Sequence, residues 1–337
     1  LEKVLQVEAV ASKDWLTNKV DRSVTGRIAM QQCAGPLQLP LNNLGISTID
    51  YKGIKGVATS IGHAPAAALI NAGEGSKLSV VEALTNIIWA PLTHGLKGIS
   101  LSANWMWPAK NEGENARLYD AVKELSLFAQ ELGINIPTGK DSLSMVQKYK
   151  NDKVYSPGTV IISAVAEVEN VRKTISPVLI DEEDTELIHI TFGNNQYALG
   201  GSSYAQTIGA LGMDVPTTKS AKEIVDIFEV VQDLIKDDKI LSGHDISSGG
   251  FITSMLEMCF ANPKLGLSIQ CIESSDEHMM RRLFSENPGI IIQCRKEDNI
   301  SELLTEKNIA HAQIGSIIHS SVFQINCRDN YMEFDIP

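Results

Sequence analysis

Strand-like and helix-like segments alternate along this chain in two blocks, without a regular strand–helix–strand rhythm. That arrangement favours α+β layers over a doubly wound parallel sheet. In the first block residues 44–60 alternate in the manner of strands, residues 78–90 recur at helical spacing, and Gly98–Ala103 is a β run. A long helix follows over about Asn115–Leu132, with Gly133 as its C-terminal cap. Ile134–Pro137 reads as a strand entering a turn over Thr138–Ser142, and the β-branched run Thr159–Val168 closes the block. Val168–Pro177 reads as a linker, and the acidic Asp181–Asp184 as a solvated turn. The second block runs from a strand at Leu187–Phe192 through helices near 202–211 and 220–236. It ends with the His244 turn and its helix and strands near 267–271, 289–294 and 321–326. An opening helix is expected over Val4–Leu16, and two prolines in Gly35–Asn43 forbid a helix or a central strand there.

A length of 337 residues suits two domains, and the net charge of −12 argues against a nucleic-acid surface, which needs a dense basic patch. The five cysteines are odd in number, far apart and without a CxxC pair, so they read as reduced, mostly core thiols in the cytoplasm. No apolar stretch approaches the roughly 18 residues of a membrane span. The chain opens on Leu1 rather than Met and is expected to be a segment of something longer.

Two segments carry candidate chemistry. His244-Asp245-Ile246-Ser247-Ser248-Gly249-Gly250 precedes a helix and offers a carboxylate, two hydroxyls and exposed backbone N–H groups. It suits a phosphate–Mg²⁺ complex, or equally the ordinary capping of a helix. Within Ser79–Asn86, Glu82 and Asn86 are four residues apart on one helical face. They form either a polar spot or half an oxygen shell for Mg²⁺, which Asp245 would extend to three ligands.

Other constellations are weaker. Gly139-Lys140-Asp141-Ser142 lacks the spacing of a phosphate loop, and Leu199–Ser203 reads as a tight turn into a helix. Trp105 and Trp107 are expected in the core, and Cys33 lacks the surroundings of a glutaminase nucleophile. Of the seven histidines, His244 is the one expected beside the site.

Taken together, Asp21–Gly26, Gly35–Pro40, Ser60-Ile61-Gly62 with Ala64-Pro65, Glu82–Asn86, Leu101–Met106, Leu118–Val122, Gly139–Met145 and His244–Ser247 resemble the large phosphoribosylformylglycinamidine synthases of purine biosynthesis. More narrowly, they are similar to the second half of that family's synthetase region, within the superfamily of aminoimidazole ribonucleotide (AIR) synthetase. The resemblance implies an AIR synthetase-like fold: a lead-in over 1–27, an N-terminal barrel-forming α/β domain over 28–170, a C-terminal α/β domain over 174–323 and a tail over 324–337. The barrel would be completed by a second copy. The implied reaction is the ATP- and glutamine-dependent conversion of formylglycinamide ribonucleotide to its amidine through an iminophosphate. Mg²⁺ and ATP or ADP are the implied cofactors.

Carried over by position, Glu82, Asn86 and Asp245 match the family's Mg²⁺ ligands, while Lys13, Asn42 and Ser247 match nucleotide contacts. Asn43 departs from the pattern, since the family has a metal-binding Asp there; an amide brings no charge and should weaken the metal. The glutaminase domain and the first synthetase copy, which are the implied partners, are not in this sequence, so the segment alone should not catalyse the full reaction. The alternative is a non-catalytic nucleotide-binding module that completes a pseudo-dimer. Strands left open by the absent copy would let the segment form a homodimer. Neither nucleic acid nor membrane is an expected partner.

Overall fold

The computed structural model describes residues 1–14, 20–194, 197–271, 275–327 and 330–336. The first block forms a six-stranded sheet from β1 (Ile28–Met30), β2 (Gly45–Thr48), β3 (Gly56–His63), β4 (Ser100–Met106), β5 (Asn135–Ser142) and β8 (Thr159–Val168). The order is β1-β2-β3-β8-β4-β5, with a separate hairpin of β6 (Val146–Lys148) and β7 (Lys153–Tyr155). Every pair in the sheet is antiparallel except β4 with β5. A parallel pair needs a crossover, and helix Glu114–Leu132 supplies it. That helix ends on Gly133 at φ +72°, as its sequence predicts.

Buried and exposed residues alternate along all of β3, and along β8 from Ile162 onward. One face of the sheet is therefore packed and the other open. Helix Ala72–Ile87 covers the packed face, crossing β3 and β8 and lying against helix Glu114–Leu132. Its approach to β3 depends on Gly62, where a Cβ would stand 2.2 Å from the Ser79 carbonyl oxygen and 2.3 Å from the Ala83 nitrogen. Ser60 Oγ uses the same closeness to donate to the Ala83 carbonyl at 2.7 Å.

The second block is a seven-stranded sheet in the order β10-β12-β9-β13-β11-β14-β15. Its strands are β9 (Thr185–Thr191), β10 (Ser242–Asp245), β11 (Gly266–Cys271), β12 (Gly289–Arg295), β13 (His311–Ile318), β14 (Val322–Cys327) and β15 (Asn330–Asp335). Strand β9 is buried along its whole length and β12 as far as Cys294, because helices pack on both faces. Ile188, Ile190, Ile290 and Ile292 join a core that also holds Val80, Leu84, Ile88 and Phe228. Leu187 and Ile291, on the other face, join Phe251, Met255 and Leu283. One hydrophobic core thus runs through both blocks. Gln232, fully buried on helix Ala221–Lys236, ties them: its amide donates to the Ile88 and Ala90 carbonyls and accepts from the Leu92 N–H.

The layered α+β reading agrees with these sheets, and several local expectations need correction. The opening helix covers only Glu2–Leu5; the chain then turns so that Val10 as well as Val4 packs into the core, and residues 15–19 lie outside the described residues. The turn expected at Thr138–Ser142 is the second half of β5, held by its parallel pairing to β4. The first sheet is open, with β1 and β5 at its edges, so a barrel is not closed within this chain. Cys33, Cys259, Cys294 and Cys327 are buried, as expected of core thiols. Among the described residues no helix is long and apolar enough to cross a membrane.

Candidate functional site

The two blocks meet around a cavity of about 1090 Å³. All six residues carried over by position line it: Lys13, Asn42, Glu82, Asn86, Asp245 and Ser247. Residues 82 and 86 come from the helix clamped on β3, and 244–247 from the end of edge strand β10. The closest link between them is a hydrogen bond from Ser247 Oγ to Glu82 Oε1 at 2.7 Å. The other carboxylate oxygen, Oε2, accepts from the His63 backbone N–H at 2.8 Å. Asn86 donates from Nδ2 to the Ile61 carbonyl at 3.2 Å.

Burial dominates the acidity of Glu82 and raises its pKa to about 7; the bonds from Ser247 and His63 work the other way, and the charges of Asp245 and Glu286 add to the rise. Asp245 is almost fully buried, and its Oδ2 has no hydrogen-bond partner among the described residues. Neighbouring carboxylates, one raised in pKa and one with an orphaned oxygen, fit a divalent cation. Among the described residues no three acidic, imidazole or thiol side chains gather into a metal cage. The residues present therefore suit Mg²⁺ held by one or two carboxylates, with the remaining positions left to water and a ligand's phosphates.

His244, also buried, joins this end through Nε2 to Glu257 Oε2 at 2.9 Å and lies 3.3 Å from Asp245 Oδ1 through Nδ1. Asn43 completes the cluster. With its Oδ1 accepting from Trp89 Nε1 at 2.6 Å, its Nδ2 faces His244 Nδ1 at 2.6 Å and Asp245 Oδ1 at 3.2 Å. Burial disfavours the imidazolium, but bonds and charge from Asp245 and Glu257 outweigh it and raise the His244 pKa to about 10. A proton on Nδ1 needs the Asn43 oxygen instead of its nitrogen, so charging His244 turns the amide and takes the acceptor from Trp89. Asn43 thus meets His244 in either orientation, and reaches Trp89 as well only while Nδ1 carries no proton.

At the helix start that ends the His244–Gly250 segment, one backbone N–H already has a carboxylate partner. Glu286 Oε1 accepts from the Gly249 N–H at 2.8 Å, just ahead of helix Gly250–Ala261, and from the N–H and hydroxyl of Ser203 at 2.8 and 2.7 Å. One carboxylate oxygen therefore serves two helix starts, an arrangement favoured by both macrodipoles. No local signal marks Glu286, because its partners are 37 and 83 residues away. Glu257 and Trp89 were likewise invisible in sequence, since only the fold brings them to His244 and Asn43.

The remaining expected residues divide. Lys13 lies on the cavity wall, and its ammonium donates to the Glu8 carbonyl and, at 3.0 Å, to that of Ala11. Asn42 donates its backbone N–H to the Gln32 carbonyl and its Nδ2 to the carbonyls of Gln31 and Cys33, which pins the neighbouring loop. In the segment 138–142 only Thr138 reaches the cavity. Trp107 is buried, with its indole N–H donated to Glu114 at 2.8 Å, in keeping with a core role.

Comparison with known proteins agrees with this architecture. The family model described as "FGAR-AT PurM_N-like domain" matches residues 12–167, and that described as "AIR synthase related protein, C-terminal domain" matches 193–327. A Caenorhabditis elegans protein named probable phosphoribosylformylglycinamidine synthase is 39% identical over 96% of this chain and 25% of its own length. The Homo sapiens phosphoribosylformylglycinamidine synthase is 38% identical over 88% of this chain and 22% of its own length. The chain therefore spans about a quarter of the curated relatives it matches. Among solved structures, PurL of T. maritima complexed with FGAR superposes with a TM-score of 0.68, covering 90% of this chain and 48% of that one at 12% identity, which speaks to the fold. By its two ordered domain models the chain belongs to the AIR synthase-related family and, through its FGAR-AT PurM_N-like first domain, to the phosphoribosylformylglycinamidine synthase branch of it.

Proposed function

We propose that this chain works as the second synthetase half of a phosphoribosylformylglycinamidine synthase. In the longer polypeptide it would serve the ATP- and glutamine-dependent conversion of formylglycinamide ribonucleotide to its amidine, a C–N ligase reaction. The observation that carries the reading is the 39% identity sustained over 96% of the chain to a relative of that name. The cavity supports it, because the residues matched to metal and nucleotide contacts all line one space. Glu82 and Asp245, with Asn86, would hold Mg²⁺, which when bound supplies charge neutralisation for phosphate oxygens. Ser247, Lys13 and Asn42 would contact the nucleotide, and Ser247 also fixes the Glu82 carboxylate.

A division near residue 170 and a cytoplasmic setting belong to the same reading; an Arabidopsis thaliana relative is named chloroplastic/mitochondrial. The open face of the first sheet would receive the first synthetase copy, or a second copy of this chain, and the remaining partner would be the glutaminase domain. One observation favours a non-catalytic variant of the proposal: Asn43 is neutral and hydrogen-bonded to His244, so among the described residues the cation has two carboxylates at most. Such a site would hold a nucleotide for stability and leave turnover to the other half.

Titration of the chain with ADP, with and without MgCl2, tests the reading by heat release and thermal midpoint. Metal-dependent binding is expected, weakened about 10- to 100-fold in Asp245→Ala and strengthened in Asn43→Asp. ADP binding that ignores both Mg²⁺ and Asp245, or no binding by either the wild type or Asn43→Asp, refutes it.

A further inference from the structure

The polar loop Asp21–Gly26 and the proline-containing loop Gly35–Pro40 have no part in the metal end of the cavity, yet they meet at its wall. Arg22 lines the cavity and is half-buried. Its Nε and Nη2 donate to Gln31 Oε1 at 3.1 and 3.0 Å, and Nη2 donates again to Gln38 Oε1 at 2.7 Å. Two amide oxygens therefore fix the guanidinium plane without neutralising its charge. Among the described residues no carboxylate lies within ion-pair distance of Arg22, and none of their acceptors takes the two Nη1 hydrogens. A guanidinium has five N–H donors, so the two hydrogens of Nη1 are left over.

The clamp is built, not incidental. Gln38 sits at φ +54°, a left-handed conformation unusual for glutamine, at the tip of a loop closed by Ala34 N–H to the Pro40 carbonyl and Asn42 N–H to that of Gln32. Gly35, at φ +70°, presses that loop onto the end of helix Gly250–Ala261: a Cβ there would stand 2.0 Å from the Ala261 carbonyl oxygen. The second block thus sets where Gln38 reaches, and Gln38 sets the guanidinium. Orienting an arginine with neutral partners while leaving its charge uncompensated is the arrangement that suits recognition of an anionic group.

We infer that Arg22 is the anion-recognition residue of this cavity, taking a phosphate group of the bound ligand on its Nη1 hydrogens, with Gln31 and Gln38 as its positioning residues. The inference deepens the nucleotide reading and rests on it for the identity of the ligand. The acidic end at Glu82, Asp245 and Glu257 repels a phosphate unless a cation accompanies it, whereas Arg22 attracts one directly.

The test is calorimetric titration of the whole chain with three probes, each with MgCl2: pyrophosphate, ADP and adenosine. Wild type is compared with Arg22→Gln, Arg22→Lys and Gln38→Leu, all checked for an unchanged circular-dichroism spectrum. Arg22→Gln is expected to weaken pyrophosphate and ADP about 10- to 100-fold and to leave adenosine unchanged. Arg22→Lys, which keeps the charge but loses the planar group that Gln31 and Gln38 hold, should recover part of the loss, and Gln38→Leu should fall between. Unchanged pyrophosphate and ADP binding in Arg22→Gln overturns the assignment and spares the nucleotide reading. Arg22-dependent pyrophosphate binding without ADP binding does the reverse. Wild type that takes up no probe overturns both.

Discussion

Gln232→Leu should unfasten the two halves of the molecule. The glutamine is fully buried and makes three bonds to the segment after helix Ala72–Ile87: to the Ile88 carbonyl at 2.6 Å, to the Ala90 carbonyl at 3.0 Å and from the Leu92 N–H at 2.8 Å. Leucine nearly matches its bulk and offers neither donor nor acceptor. The Leu92 N–H and two carbonyls would then be stranded where water does not reach. At about 1–3 kcal/mol for each stranded group, less some relaxation, the loss is about 4 kcal/mol. That is a large part of the roughly 5–15 kcal/mol of a typical folded protein. Urea unfolding followed by circular dichroism measures it. Because one core spans both blocks, the wild type should unfold in a single transition and the variant in the same transition at lower denaturant. A loss below about 1 kcal/mol, or a wild type whose blocks unfold separately, refutes the argument that Gln232 couples them.

Two further outcomes are expected. Burial, assisted by the nearby Arg282 charge, lowers the His189 pKa to about 3, so the unfolded chain takes up its proton first as pH falls from about 6.5. Its contribution is intact above that pH and lost toward pH 3; unfolding at pH 7 and pH 5 should differ by about 2 kcal/mol from this residue, a slope that His189→Phe abolishes. Gly62→Ala should force helix Ala72–Ile87 off β3 at a cost of about 3 kcal/mol and move Glu82 and Asn86 with it; a thermal midpoint within 1 °C of wild type would contradict this.

What could be read in the sequence was local in origin. Helix Glu114–Leu132 carries its own period and its own Gly133 stop, and β8 announces itself by β-branched residues, so both stand within a residue of expectation. The second half of β5 was missed because its residues are mostly polar and exposed, and pairing to β4 makes it a strand. Strand β13 was not read from its own residues and is held by β9 and β11. At the site, Glu82 and Asp245 were legible as metal-type residues and do face one cavity. The other groups around the cavity were not: Glu257, Trp89, Glu286 and the Arg22 clamp are ordinary residues until folding closes separations of 9 to 83 positions. The His244–Gly250 segment shows the limit most plainly, since the carboxylate that accepts from its Gly249 N–H comes from Glu286, 37 residues on.

The strand order of the first sheet also has a meaning in time. Strand β8 lies between β3 and β4 but is the last of the six to be made. About a hundred residues separate the end of β3 from the start of β8, roughly five to twenty seconds of synthesis. For that interval β3 holds an unpaired edge, joined by that of β4 once residue 106 is made, beside a helix most of whose residues are destined for burial, the state in which nascent chains aggregate or recruit chaperones. This polypeptide should therefore be most vulnerable while it is still on the ribosome, and slowing its translation before residue 159 should lower its yield without altering the finished fold.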